Sequence, residues 1–138
     1  MTAFCDWDVQ KGVYAHLVAQ GTLTGLLAAG AASVRDHVLP DAAFPYVVIG
    51  EIESRPQSTQ QLPGREVVLT LHAFSQAPGQ KEVREILSAL HDALEDAALS
   101  IEGQHVISCR SLSARSFLEG DGETRHGVFQ VEILTEPA

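Results

Sequence analysis

Apolar positions recur at three- and four-residue steps through Val83, Ile86, Leu87, Leu90, Leu94 and Ala97, while Lys81, Glu82, Arg84, Glu85, Asp92, Glu95 and Asp96 fill the other side. That period predicts an amphipathic helix over residues 79–94, opened by the break at Pro78-Gly79. Ahead of it the period is two. In Arg65–Ser75, Val67, Leu69, Leu71 and Ala73 alternate with Val68, Thr70, His72 and Phe74, which predicts a strand. Residues 46–54 begin as a β-branched apolar run and end in alternation, with Ile49, Glu51 and Glu53 on one side and Val48, Gly50 and Ile52 on the other. After the helix, residues 105–118 and 123–135 read as two long strands joined by Gly120-Asp121-Gly122, a turn that tolerates positive φ. Phe129, Val131 and Ile133 mark a buried face there, opposed by Gln130 and Glu132.

The N-terminal part is shorter in period. Val9, Val13 and Leu17 place a helix over residues 8–20, with Asp6 or Asp8 available as N-cap and Gly21 as its stop. Residues 22–29 predict a second short helix, capped by Thr22 and closed by Gly30, with Gly25 weakening its interior. Residues 33–36 form a short strand, and Pro40 and Pro45 keep residues 39–45 out of any helix interior or central strand. Residues 55–64 are polar and bounded by Pro56, Pro63 and Gly64; this loop is expected to be mobile in the isolated subunit and ordered by a neighbour. The order α, α, β, β, β, α, β, β makes the chain α+β, a mainly antiparallel sheet with amphipathic helices packed on one face. No repeat or second domain interrupts residues 1–138.

Composition narrows the function classes. A chain of 138 residues with 45% hydrophobic content can bury one core without disulfides or metal. Nine Lys and Arg against eighteen Asp and Glu leave a formal charge of −9, with acid in excess in both halves. A surface that grips nucleic acid by neutralising phosphates is not expected. Cys5 and Cys109 match no CxxC or zinc spacing and are expected to be free thiols. No signal-peptide pattern and no apolar run of about 18 residues is seen, so synthesis and assembly in the cytoplasm are expected.

Candidate chemistry is sparse. His16, His37, His72, His91, His105 and His126 form no HxH or HExxH pattern, and His72, alternating with apolar residues, is the best candidate for partial burial. No serine sits in a GxSxG elbow, and no glycine run forms a phosphate cradle. Carboxylates such as Asp92, Glu95 and Asp96 read as a solvated helix face. The residues therefore point to no catalytic, cofactor or metal site. A small-ligand or enzymatic α+β domain with a cleft near His72 and Cys109 stays open as the alternative, marked by a deep pocket rather than self-association.

Several segments carry a resemblance in their order. Val34, Asp36, Val38 and Pro40 lead into Pro45-Tyr46-Val47-Val48-Ile49-Gly50, then come REVVLTLHAFS, the helix over 79–94 and the closing DGETRHGVFQVEI hairpin. Together with the N-terminal helices, this succession resembles the small tail-terminator, or tail-completion, proteins of long-tailed phages and gene transfer agents. The resemblance implies a structural protein that caps the finished tail tube and joins it to the head side as a hexameric ring. Its implied partners are other copies of itself, the major tail tube protein and the head–tail connector, in the bacterial host cytoplasm during assembly and then in the particle tail. A lone sheet leaves its outer strands unpaired, and ring contacts would satisfy them. The strands 46–54 and 65–75 with the loop between them are the expected contact region, which singles out Glu51, Glu53, Arg55, Gln57, Gln60 and Gln61.

Overall fold

The computed structural model describes residues 3–57 and 63–138. Its elements are α1 (Asp6–Val18), α2 (Gly21–Thr24), a single 3-10 turn (Gly30–Ser33), β1 (Val34–Arg35), β2 (Tyr46–Pro56), β3 (Arg65–Ser75), α3 (Lys81–Leu94), β4 (Gln104–Leu118) and β5 (Arg125–Pro137). The five strands make one mixed sheet in the order β1-β2-β3-β5-β4. The chain is thus α+β. β1 pairs with β2 in parallel, and the other three pairings are antiparallel.

The period-two reading of β3 holds residue by residue, since Val67, Leu69, Leu71 and Ala73 are all fully buried. They join Phe129, Val131 and Ile133 from β5, Val9, Val13 and Leu17 from α1, and Val83, Ile86, Leu90 and Leu94 from α3 in one apolar cluster. Each such side chain contributes about 1.5–3 kcal/mol when removed from water. α3 crosses β5 at Gly127, where an added Cβ would stand 3.0 Å from Leu87 and 3.1 Å from Val83. At the other end of the helical layer, His16 Nε2 lies 2.7 Å from the Ala93 carbonyl and ties the last turn of α1 to α3.

β2 departs from simple alternation. Ile49 pairs with Leu71 and Ile52 with Leu69, so Gly50 and Glu51 together stand against Thr70 alone. One extra residue reverses the phase of everything beyond it. Ile49 is therefore buried in the core, and Glu51 and Glu53 stand exposed on the opposite face; the expected grouping of the three on one side is corrected. Glycine is required at the bulge, because a Cβ on Gly50 would come within 2.7 Å of the His72 ring.

The second helix is also shorter than its pattern. After Thr24 the chain makes tighter turns, Leu26 N–H to the Leu23 carbonyl and Leu27 N–H to Thr24, and Ala28 N–H bonds the Pro45 carbonyl instead of continuing a helix. α1 starts at Asp6 with Cys5 at its N-cap and no side-chain cap, so neither Asp6 nor Asp8 plays that part. The β4–β5 hairpin turns as its sequence predicts. Gly122 has φ +73°, and the Asp121 carboxylate accepts from the N–H groups of Glu123 and Thr124 at 2.8 Å each and from Thr124 Oγ1 at 2.7 Å. Those bonds, the backbone ones foremost, hold the Asp121 carboxyl below its ordinary value.

Candidate functional site

Side chains from the strands that do not enter the core stand on the far face of the sheet, and the pairing registers align them in rows. Tyr46, Phe74, His126 and Phe117 occupy one row across β2, β3, β5 and β4. Their rings follow at centroid separations of 5.1, 4.4 and 4.9 Å. Phe44 extends the row at 5.0 Å from Tyr46, and the Arg115 guanidinium lies 5.0 Å over Phe117. The next row holds Val48, His72, Val128 and Arg115, and the one after it is polar. In that polar row Ser113 Oγ donates to Gln130 Oε1, whose Nε2 donates to Thr70 Oγ1, both at 3.2 Å. Cross-strand neighbours of this kind are what hold an exposed sheet face in one arrangement.

Four titratable groups cross these rows. His72 Nε2 stands 2.6 Å from Glu51 Oε1, His72 Nδ1 stands 2.7 Å from His126 Nε2, and His126 Nδ1 stands 2.8 Å from Glu119 Oε1. Both imidazoles are 16% exposed, and Glu51 at the outer end is 73% exposed. Three contacts between ring nitrogens and acceptors need three protons, whereas two neutral imidazoles carry two. Burial first, and then the neighbouring His72, hold His126 below the ordinary histidine value. The hydrogen bond from His72 holds the Glu51 carboxyl below its own. The arrangement is a relay of hydrogen-bonded groups across three strands, and the hydroxyl-bearing Thr70 and Ser113 border the same concavity.

The relay sets a pH dependence of stability. A histidine lowered in the folded state stabilises the fold above its unfolded value of 6.5 and loses that contribution as pH falls through the lower folded value. Glu51, also lowered, acts in the same direction below 4.5. Urea midpoints are therefore expected to fall in two stages on acidification, and His126→Gln is expected to flatten the first stage while leaving the second. A variant whose midpoint tracks the wild type between pH 7 and 5 would remove His126 from this account.

Glu51, Glu53 and Arg55 all stand on this same far face along β2, and Arg55 bonds Glu66 through Nε at 2.8 Å and Nη2 at 2.7 Å. Gln57 is exposed just past the strand, where its N–H bonds the Gly64 carbonyl at 2.8 Å. Gln60 and Gln61, and the centre of the loop expected to be mobile, lie outside the described residues. β3 is paired on both sides, so of the two strands expected to offer an edge only β2 has one free.

The alternative cleft does not form. Cys109 is 2% exposed on the core side of β4, its thiol pushed up to about 11 chiefly by burial, while His72 stands on the opposite face. The groove beside Cys109, about 520 Å³, runs between residues 96–101 and the start of β4, whereas His72 and His126 border a separate concavity of about 380 Å³. Among the described residues, no three His, Cys, Asp or Glu side chains are placed to hold a metal ion, and no helix is long and apolar enough to cross a membrane. Cys5 and Cys109 are both free and buried. Sequence reading passed over His126 and Glu119 as functional positions. The available signal was that His72 and His126 both occupy the non-core phase of their strands.

Comparison with known proteins places these features in a family. The model of the family "Tail completion protein gp17" matches residues 11–136. The tail completion protein gp17 of Bacillus phage SPP1 is 30% identical over 93 residues, covering 67% of this chain and 69% of that protein. A chain in the virion of a native gene transfer agent particle shares the fold with a TM-score of 0.83 and 22% identity, over 93% of this chain and 94% of that one.

Proposed function

The chain belongs to the tail completion protein gp17 family and is a structural phage-tail assembly protein, and on that premise we propose that residues 1–138 act as a single tail-terminator domain. Six copies close a ring on the finished tail tube and form its junction to the head side. The partners are neighbouring copies, the major tail tube protein and the head–tail connector. Assembly takes place in the bacterial host cytoplasm, and the ring stays in the particle tail. In this role the protein performs no catalysis, takes no cofactor and binds no specific nucleic acid; the charge of −9 keeps its surface from adhering to passing DNA. A mainly antiparallel sheet with amphipathic helices packed on one face serves as a rigid platform, and its other face and borders are left for neighbours.

The family match over residues 11–136 carries this reading, because it takes in β1 to β4 and all but the last residue of β5. Removing the gene from its phage or transfer-particle genome is the test. The expected outcome is tails of uncontrolled length and heads left unjoined, both restored when the protein is supplied, with a sixfold ring imaged at the head-proximal end. Head-joined tails of normal length without the protein would sink it.

A further inference from the structure

The two borders of the sheet differ in what they leave unpaired. Among the described residues no strand lies on the outer side of β4 along its fifteen residues, although residues 96–101 flank its first half and the Asp96 N–H bonds the Cys109 carbonyl at 2.9 Å. Its pairing with β5 is interrupted between Val106 and Ser108 and again between Ser111 and Ser113. The residues set out of register are Ile107 and Leu112, 55% and 49% exposed. Edge strands that must stay alone carry charge at such points, and apolar side chains there invite a partner. At the other border β1 covers β2 only at Val47 and Val48, leaving the edge open from Ile49 onward. Beside it, between α1 and β1, lies a groove of about 280 Å³ lined by Trp7, Tyr14, Val34, Asp36 and Ile49. Trp7 and Tyr14 are themselves 62% and 43% exposed.

Charge distinguishes the borders further. β4 carries Arg110 and Arg115 and no carboxylate, in a chain of formal charge −9. The β2 border presents Glu53, in no ion pair among the described residues, together with Glu51, hydrogen-bonded to His72, and Asp36, hydrogen-bonded to Gln10 and His37. Its Arg55 is engaged by Glu66, Lys11 by Asp8 and Glu102, and Arg35 lines the groove. Direction and height agree as well. β2 runs antiparallel to β4 through the three antiparallel pairings between them. A second copy turned about an axis along the strands therefore offers its β2 in the antiparallel sense. The rows Ile49–Leu71–Phe129–Ala114 and Ile52–Leu69–Val131–Ser111 bracket Leu112, so rotation without sliding brings Leu112 between the levels of Ile52 and Ile49, next to the end of the groove that Ile49 lines.

We infer that the β4 border of one copy, led by Ile107 and Leu112, docks on the β2 border and the Trp7–Tyr14 groove of the next copy. The contact is head to tail, with Arg110 and Arg115 facing Glu51, Glu53 and Asp36 of the neighbour, and repetition by rotation closes a ring. This rests on the ring reading above and adds which surfaces meet.

The test is cross-linking in assembled tails of the double variant Leu112→Cys/Tyr14→Cys with a short bis-maleimide; the native thiols are buried and supply an unreactive background. A ladder of cross-linked oligomers from the double variant, with none from either single variant, is expected. Leu112→Cys with Trp7→Cys is the second pair, in case one geometry misses. Dimers from Leu112→Cys alone would show a face-to-face contact and overturn the inference. Tails that hold a ring of the protein but give no ladder with either pair would overturn the surface assignment and leave the ring reading standing. Tails that hold a single copy would overturn both.

Discussion

Phe129→Ala is expected to lower the stability of the isolated protein by about 3–5 kcal/mol, the range for removing a large aromatic side chain from a packed interior. Phe129 is 1% exposed and sits between Leu71 of β3 and Ala114 of β4 in register, on the core side of β5. Against a total of about 5–15 kcal/mol for a domain of this kind, such a loss removes about a fifth of the margin or more. Urea unfolding checks it through the midpoint at unchanged slope. Gln130→Ala, one residue along and facing the other way, is the control and is expected to stay within about 1.5 kcal/mol of the wild type, at the cost of its bonds to Ser113 and Thr70. A Phe129→Ala loss no larger than the control's would mean that β5 is not the centre of the core.

Reversing charge at Glu51 and Glu53 is expected to abolish head-joined tails while leaving the subunit folded. Both carboxylates stand exposed on the part of β2 beyond its pairing with β1. Glu51 does bond His72, so Glu51→Lys disturbs the relay. For that reason Glu53→Lys alone is made alongside the double variant, and circular dichroism and urea midpoints of both are compared with the wild type. In the proposed ring, like charge brought against Arg110 and Arg115 of a neighbour would act at every subunit contact together, so assembly is expected to respond far more steeply than any single contact would. Well-folded variants that complete tails of normal length would show that this border is not a subunit contact.

What could be read from the sequence divides along a physical line. β3, α3 and the β4–β5 hairpin were legible because each buries one face and advertises it at its own period: Leu69 and Leu71 in β3, Ile86 and Leu90 in α3, Val131 and Ile133 in β5. The bulge at Gly50 and Glu51 was not, since an extra residue leaves composition unchanged and only reverses which residues share a face. α2 ended early for a similarly non-local reason, the Pro45 carbonyl reaching back to Ala28. The relay was hidden for the same cause. His72 and His126 are 54 positions apart, and only the register of β3 on β5 makes them neighbours. The likeness to tail-completion proteins could be read from the succession of segments, but the identity of the free borders depended on strand order, which pairs β5 with β3 ahead of β4 and leaves β4 outermost.

The sealed cysteines bear on the life of a particle after it leaves the cell. Inside the host, glutathione keeps thiols reduced; outside, oxygen and other oxidants act on whatever thiolate they can reach. Cys5 and Cys109 are each 2% exposed, and burial, as the main cause in both, raises the two thiols above their ordinary value, Cys109 to about 11. Neither forms a cross-link between copies nor climbs toward sulfenic acid while the fold is intact. Contacts between this protein and its neighbours therefore do not rest on either of these two thiols.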